Sequence, residues 1–282
     1  MYYYIINPSA GNGKINKIQE KLKGILSNLG IAGEFVKSTG PGDIPKLTEI
    51  GIKKGYSTIV AIGGDSTANE VLNYMPNDKT AFGIIPVGKT NTLASSLGIP
   101  DWMEACQILA ARKTRRLNIG EVVTASGNRY FINKIAIGLE ADIRKNFPST
   151  PKQIVSKVKH NLGILKNSKS FNPFTMRFEI DKSIKGDFKG INIHITNVSF
   201  QKSDKAFMIS LQENVPKTEK IKFIKTGDLS YLANHNSTLY GNHIYLKSNN
   251  ISVAADDQYI GATPAEISIA NKKIRIIVGS IF

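Results

Sequence analysis

The sequence predicts an α/β domain built on a parallel sheet, followed by a second domain that is an antiparallel β-sandwich. Over residues 1–120, short apolar runs alternate with amphipathic stretches, which is the pattern of parallel strands joined by crossover helices. Over residues 121–282, short runs with a period of two dominate, and these are typical of antiparallel sheets. Each part is long enough for one domain, so we place the boundary near residue 120.

The first domain is expected to begin with a strand and to continue as alternating strands and helices. Residues 2–6 form an apolar run that ends at Asn7-Pro8. The helix that follows has one apolar face of period 3.6, which consists of Ile15, Ile18, Leu22, Ile25, Leu26 and Leu29. Further strands are expected at 34–36, 58–62 and 81–85, and further helices at 44–54, after the glycine turn at 63–64, and at 90–97.

The second domain is expected to consist mainly of short strands. One basic helical insertion, at about 152–166, interrupts them. The predicted strands are 119–124, 129–137, 174–180, 190–198, 220–224, 242–246, 250–254, 266–269 and 274–278.

The chain is strongly basic. It has 282 residues, with 37 Lys and Arg against 22 Asp and Glu, which gives a net charge of +15. This charge indicates either an anionic partner, such as nucleic acid, nucleotide phosphate or an anionic bilayer, or only a well-solvated lysine-rich surface. The single cysteine, Cys106, excludes a disulfide framework. Since no apolar run reaches the ~20 residues of a membrane span and the first residues do not resemble a secretory signal, we expect a cytoplasmic protein.

Glycine-rich turns follow three of the predicted parallel strands. They read Asn-Pro-Ser-Ala-Gly-Asn-Gly-Lys at 7–14, Gly-Gly-Asp-Ser-Thr at 63–67 and Pro-Val-Gly-Lys-Thr-Asn at 86–91. Ligands of open α/β sheets bind at the carboxyl ends of the strands, and helix N-termini there offer N–H groups that suit phosphate. Lys14 and Lys89 add positive charge. One such turn is usually only a chain reversal, but three on one sheet edge predict a phosphate site.

Asp65 has two possible roles at this edge. Its carboxylate follows Gly63-Gly64 and precedes a helix, so it fits a structural N-cap. It also fits a group that holds Mg²⁺ or accepts a hydroxyl proton during phosphoryl transfer. The two glycines allow a ligand to approach closely, so we favour the functional role.

The ordered set of motifs resembles the diacylglycerol kinase catalytic-domain family, in its bacterial lipid-kinase branch. Asn7-Pro8-x-x-Gly11-x-Gly13 is similar to the first phosphate loop of that family. The stretch 63–71 is similar to its Gly-Gly-Asp-Gly-Thr-x-Asn-Glu-Val signature, and 83–94 to its Gly-Thr-x-Asn-Asp-Phe-Ala segment. The stretch 131–141 resembles the entry into the second domain of the family.

The resemblance implies a Rossmann-like nucleotide domain related to that of NAD kinases, followed by a β-sandwich that helps to form a lipid cleft. ATP and Mg²⁺ would serve as cofactors, and the γ-phosphate would pass to a lipid hydroxyl at a membrane surface. Asp65, Asp257 and Gln258 are the implied catalytic positions, and Asp65 is also the candidate metal ligand. The implied nucleotide-binding residues are Asn7, Pro8, Gly11, Gly13, Lys14, Gly63, Gly64, Ser66, Thr67, Gly88, Lys89, Thr90 and Asn91.

The chain differs from the family pattern at positions that bind phosphate or take part in catalysis. Ser66 replaces a glycine, and Lys89 and Thr92 replace a threonine and an aspartate. Near the C-terminus, Asp257 and Gln258 stand where the family has Gly-Glu, and that glutamate is its expected general base. Glutamine cannot accept a proton at neutral pH, and general-base assistance is worth roughly 10²–10⁴-fold in rate. The region 198–211 also lacks the family elements that would indicate a second metal site.

Two function classes therefore stay open, an active lipid kinase and a degenerate relative that binds nucleotide or lipid without turnover. NAD kinase is a weaker alternative, because the stretch 133–141 and the region of Pro264 resemble the lipid-kinase branch more.

We expect no nucleic-acid partner, since no recognition helix is visible. The stretch 144–178 carries basic and apolar residues and no acidic one, so it fits either an anionic bilayer surface or an ordinary packed helix. The sequence gives no signal for an oligomeric state.

Overall fold

The computed structural model describes residues 1–75, 77, 79–88, 91–147, 163, 171–198, 206–213, 237–248 and 250–279. The chain forms two compact units, one of Met1–Ile119 with Asn271–Phe282 and the other of Gly120–Ala270. The expected strand at 220–224 lies outside the described residues, as does the expected helix at 152–166 apart from residue 163. Among the described residues, no helix is both long and apolar enough to span a bilayer.

The helices and strands are numbered in chain order. The helices are α1 Lys14–Asn28, α2 Asp43–Lys53, α3 Asp65–Tyr74, α4 Thr92–Ser96, α5 Trp102–Ala111 and α6 Leu139–Asn146, and a 3₁₀ turn at Ala10–Gly13 precedes α1. The strands are β1 Tyr2–Ile6, β2 Gly33–Lys37, β3 Thr58–Gly63, β4 Ala81–Pro86, β5 Thr114–Thr124, β6 Gly127–Phe131, β7 Lys134–Gly138, β8 Phe174–Ile180, β9 Ile184–Gly190, β10 Asn192–Asn197, β11 Phe207–Gln212, β12 Ser237–Gly241, β13 His243–Leu246, β14 Ser252–Ala255, β15 Gln258–Ala262 and β16 Ala265–Ile277.

A parallel sheet with strand order β2-β1-β3-β4 is the frame of the first unit. β1, β3 and β4 are buried along their whole length, which explains why their sequences are continuous apolar runs. The register places Ile6 beside Ile62, and Gly63 beside Pro86. The carboxyl ends of these three strands therefore lie side by side, and the three glycine-rich turns leave the sheet at one edge.

The C-terminal strand differs from the sequence-based domain assignment, which placed all of 121–282 in the second domain. Arg275 and Ile276 of β16 pair in parallel with Ala81 and Phe82 of β4. The ammonium group of Lys272 also donates to the carbonyl oxygen of Met75 at 2.9 Å. These bonds group the end of the chain with the first unit. The two strands expected at 266–269 and 274–278 are one strand, since β16 continues without a break from Ala265 to Ile277.

The second unit contains two antiparallel sheets. One sheet pairs β9, β8, β13 and the beginning of β16, and the other has the order β12-β11-β10-β7-β14-β15. The two sheets share one apolar core, in which the rings of Phe131 and Phe207 stack with their centroids 5.9 Å apart. The β-sandwich expected from the sequence is thus confirmed.

Some elements are additional to those expected. The run 129–137 is divided into β6 and β7, because Ile132 and Asn133 donate their N–H groups to the carboxylate of Asp256 instead of continuing a ladder. β9 was not expected, because its glycines and charges mask the alternation of apolar and polar residues. Its hydrogen-bonded pairing with β8 stabilises it as a strand in spite of this weak local preference. The other additional elements are α5, α6, β11, β12 and β15.

Candidate functional site

The three glycine-rich loops at the carboxyl edge of the first sheet are in direct contact. The amide of Asn7 in the first loop donates to the hydroxyl of Thr67 in the second loop at 2.9 Å. A Cβ on Gly88 in the third loop would lie 2.6 Å from the Cα of Gly64, and a Cβ on Gly11 would overlap the carbonyl oxygen of Val87. The glycines therefore allow the loops to pack on one another, in addition to any role toward a ligand.

The first loop turns sharply before α1. The carboxamide oxygen of Asn7 accepts the N–H of Ser9 at 3.0 Å, which fixes the turn that contains Pro8. Asn12 has a φ of 60°, in the left-handed region, between two glycines that also have positive φ. α1 then begins at Lys14, whose side chain is exposed, and no described side chain caps the helix. The N–H of Lys14 donates to the carbonyl oxygen of Gly11, so an anion would bind the N–H groups that follow it in the first turn.

The second loop joins β3 to α3. Gly63 is buried at the end of the strand, and Gly64 is the N-cap residue of α3, where no described side chain provides a cap. Ser66 is exposed on the first turn of α3, and Thr67 is fully buried beneath it. The buried hydroxyl of Thr67 contacts Asn7, so it ties two loops together.

Asp65 contacts the third loop rather than its own helix. One carboxylate oxygen accepts the N–H of Thr92 at 3.0 Å, and the other accepts the N–H of Leu93 at 2.9 Å. These are the first two residues of α4, so Asp65 caps a helix that begins 27 residues after it in the sequence. Asp65 therefore does cap a helix, as the structural role expected from the sequence requires, but the helix is α4 instead of α3.

The third loop is described at Gly88 and Asn91, while Lys89 and Thr90 lie outside the described residues. The amide nitrogen of Asn91 donates to the carbonyl oxygen of Gly88 at 3.0 Å. Its side-chain oxygen is buried and has no hydrogen-bond donor among the described residues. A ligand that brings a hydroxyl or amino donor would satisfy this oxygen, and the ribose and base of a nucleotide carry such donors.

The residues fit a nucleotide better than they fit a metal ion. The helix starts at Lys14 and Asp65 have no side-chain caps among the described residues, which suits a polyphosphate. Within the described part of the chain, by contrast, no three or more His, Cys, Asp and Glu side chains are placed to hold a metal ion. Both oxygens of Asp65 accept backbone N–H groups, and its role as a magnesium ligand stays a prediction.

The other two implied catalytic residues, Asp257 and Gln258, belong to the second unit. Asp257 lies in the turn between β14 and β15, and its carboxylate accepts a hydrogen bond from the guanidinium of Arg144 at 2.6 Å. Gln258 begins β15, and its side-chain oxygen accepts a hydrogen bond from Arg129 at 2.9 Å. Asp256 accepts the N–H groups of three consecutive residues that start at Ile132. Each side chain of this turn thus has a structural partner.

A buried ion network lies behind this turn, and the sequence did not reveal it. Glu140 is only 4 % exposed, and it lies 2.8 Å from Lys134, 2.8 Å from the imidazole of His194 and 3.6 Å from Arg144. Burial would raise the pKa of Glu140, but Lys134, His194 and Arg144 together hold that pKa well below its usual range. The available signal was Lys134 and Glu140 inside a mostly apolar stretch at 131–143.

Comparison with known proteins agrees with this fold. Residues 1–122 match the family described as "Diacylglycerol kinase catalytic domain". Over these residues the chain is similar to the diacylglycerol kinase catalytic-domain family. The matched part of the chain contains all three loops.

Relatives with the same name as the matched domain cover almost the whole chain. A diacylglycerol kinase of Bacillus subtilis (strain 168) is 25 % identical over 97 % of this chain and 95 % of its own length. A diacylglycerol kinase of Staphylococcus haemolyticus (strain JCSC1435) is also 25 % identical, over 96 % of this chain and 86 % of its own length.

Solved structures share the fold over almost the whole chain. A diacylglycerol kinase from Bacillus anthracis str. Sterne has a TM-score of 0.73 at 17 % identity, and covers 99 % of this chain and 97 % of its own. An NAD kinase from Archaeoglobus fulgidus, solved in complex with ATP, has a TM-score of 0.55 at 10 % identity, and covers 99 % and 94 % of the two chains. The two-part architecture is therefore that of diacylglycerol kinases and NAD kinases.

Proposed function

We propose that this chain is an ATP-dependent lipid kinase, which transfers the γ-phosphoryl group of ATP to the hydroxyl group of a lipid. The observation that carries the proposal is the contact of the three glycine-rich loops at the carboxyl edge of the first sheet. The match of residues 1–122 to the diacylglycerol kinase catalytic domain supports a kinase of lipids. The starts of α1 and α3, which no side chain of the described residues caps, suit a polyphosphate.

In this proposal, the chain's own residues act mainly by binding and positioning. Backbone N–H groups at the starts of α1 and α3 would bind phosphate oxygens, and the exposed ammonium group of Lys14 would add positive charge. The acceptor hydroxyl loses its proton as its oxygen bonds to phosphorus and the bond to ADP breaks. Gln258 cannot take that proton, so we expect a low rate of transfer.

The protein would bind its lipid acceptor at the surface of a bilayer. We propose peripheral binding to an anionic membrane surface, which the net charge of +15 supports. The basic stretch 144–178 that the sequence indicated for this contact lies largely outside the described residues. Co-sedimentation with vesicles tests the idea, and equal binding to neutral and anionic vesicles would contradict it.

The direct test is phosphoryl transfer from γ-labelled ATP to a panel of lipid hydroxyl acceptors in the presence of Mg²⁺. Gly11→Ala should abolish transfer, because its Cβ would overlap Val87 in the third loop. Gly30→Ala is the matched control, since Gly30 also has a positive φ, of 69°, but has open space around it. Equal loss in both variants would show that only backbone strain was being measured.

A second candidate function is binding of nucleotide without turnover. Gln258 in place of a glutamate favours it, because the amide is held by Arg129 and cannot act as a base. ATP binding that Gly11→Ala removes, with no transfer to any lipid of the panel, would support this second function. Absence of ATP binding would contradict both.

A further inference from the structure

Asp65 bridges the second and third loops of the site. It is the first residue of α3, yet both of its carboxylate oxygens accept N–H groups from the first turn of α4, at 3.0 and 2.9 Å. A carboxylate at a helix start is stabilised by the hydrogen bonds and by the positive end of the helix dipole. The cap is unusual because it comes from a different helix.

The residue that would ordinarily cap α4 does not do so. Asn91 occupies the N-cap position in a left-handed conformation, with a φ of 49°, and provides no side-chain cap. Its amide group instead donates within the third loop, to the carbonyl oxygen of Gly88. Asp65 therefore supplies the cap that Asn91 leaves out.

The third loop is held to the second loop at both of its ends. At its beginning, Gly88 packs against Gly64 so closely that a Cβ on Gly88 would lie 2.6 Å from the Cα of Gly64. At its end, α4 is held by Asp65 through two hydrogen bonds. The neighbouring residues Gly64 and Asp65 thus contact the connection between β4 and α4 on either side, at Gly88 and at the first turn of α4.

We propose that Asp65 is a positioning residue, which holds the third loop in place for the nucleotide and does not accept the proton of the substrate hydroxyl. The proposal rests on the proposed kinase function for the role of the loop, but the cap itself can be tested without any substrate. A carboxyl group that took up a proton would lose one of the two acceptors on which α4 depends.

The experiment compares Asp65→Asn and Asp65→Ser with Asp101→Asn. Asp101 is a matched control, because its carboxylate also accepts two helix N–H groups, those of Met103 and Glu104 at the start of α5. Amide hydrogen exchange is measured on the full chain without ligand. Both Asp65 variants should speed exchange over 92–96 by about tenfold or more, the loss expected when a charged acceptor is removed. Asp101→Asn, whose remaining side-chain oxygen can still accept both N–H groups, should change exchange over 103–105 little and leave 92–96 unchanged.

Steady-state kinetics with ATP then separate positioning from base catalysis. The Asp65 variants should raise the KM for ATP about tenfold, with kcat within threefold and with an unchanged pH profile. Exchange over 92–96 that stays as slow as in the wild type would overturn the proposal, and so would a kcat loss of 10²-fold or more with the KM unchanged. If the wild type transfers no phosphate, the kinase proposal fails alone, and the exchange measurement still decides the role of Asp65.

Discussion

The carboxylate of Asp257 lies 2.6 Å from the guanidinium of Arg144, in a turn where the family pattern has a glycine. Asp257 has a φ of 69°, which is a left-handed conformation that glycine adopts without strain. The substitution thus keeps the backbone of the turn and adds an ion pair. Arg144 also lies 3.6 Å from Glu140, so Asp257 extends the buried network to the turn.

Two substitutions of Asp257 separate the cost of its left-handed conformation from the contribution of its ion pair with Arg144. Asp257→Gly relieves the strain and removes the ion pair, so we expect the stability to change by less than about 1 kcal/mol. Asp257→Ala removes the ion pair and keeps the strain, so it should be less stable than Asp257→Gly by about 1 kcal/mol. Urea unfolding of the two variants measures this difference. Equal stabilities would mean that the left-handed conformation carries no cost here.

Restoring the family glutamate should not by itself restore an efficient base. In Gln258→Glu, the new carboxylate would lie where Arg129 now donates to the amide oxygen at 2.9 Å. An adjacent guanidinium lowers the pKa of a carboxyl group by about 1–3 units, and a base with a low pKa is inefficient at neutral pH. We therefore expect a larger rate gain in the double variant Gln258→Glu with Arg129→Gln than in the single variant. Phosphoryl-transfer rates at pH 7 measure this, and an equal gain in both would contradict it.

Glu140 should make the second unit sensitive to acid. Its pKa in the folded protein lies below the ordinary value of 4.5, since Lys134, His194 and Arg144 outweigh the opposing effect of burial. The stability that this shift provides is present at neutral pH and is lost as the pH falls below about 4.5 toward the folded pKa. Glu140→Gln should cost about 1–3 kcal/mol at pH 7, because the partly buried Lys134 and Arg144 lose their charged partner, and should flatten the stability curve at acid pH.

Urea unfolding at pH 7 and pH 3 tests this dependence. Glu179 is the control, because Lys247 lowers its pKa as well, but this pair is at the surface. Glu179→Gln should have little effect on stability at either pH. If wild type and Glu140→Gln lost the same stability between the two pH values, the acid sensitivity would have another origin.

The hydrogen bond from Asn7 to Thr67 should contribute to both stability and nucleotide binding. Thr67→Val keeps the buried volume and leaves the amide of Asn7 without its acceptor, which should cost about 1–3 kcal/mol. Thr67→Ser keeps the hydroxyl and should retain ATP affinity better than Thr67→Val. Thermal unfolding and ATP titration measure the two effects. A Thr67→Val protein that binds ATP as tightly as the wild type would show that the loops do not depend on this bond.

The parallel sheet could be predicted from the sequence, because its central strands are buried on both faces and are therefore continuous apolar runs. Tyr2–Ile6 was predicted to the residue, and the apolar runs at 58–62 and 81–85 gave the other central strands. β9 and α6 were not predicted, because the glycines and charges of β9 and the charges of α6 give no clear period. Only pairing and packing in the folded chain stabilise them.

The sequence also indicated which loops would meet, but not how their side chains are used. Three glycine turns after parallel strands had to share an edge, since parallel strands end on the same side of a sheet. That Asp65 caps α4 depends on the distance between two loops separated by more than 20 residues, which no local pattern encodes. The partners of Asp257 and Gln258 likewise come from β6 and α6, more than 100 residues earlier.

The most direct measurement of the central claim, that the three loops form a polyphosphate site, is the binding of ATP, ADP and AMP to the full chain by calorimetric titration. The account predicts that affinity falls in the order ATP, ADP, AMP, that Gly11→Ala abolishes the difference between them, and that Gly30→Ala preserves it. Equal affinity for the three nucleotides in the wild type, or no binding of any of them, would contradict it.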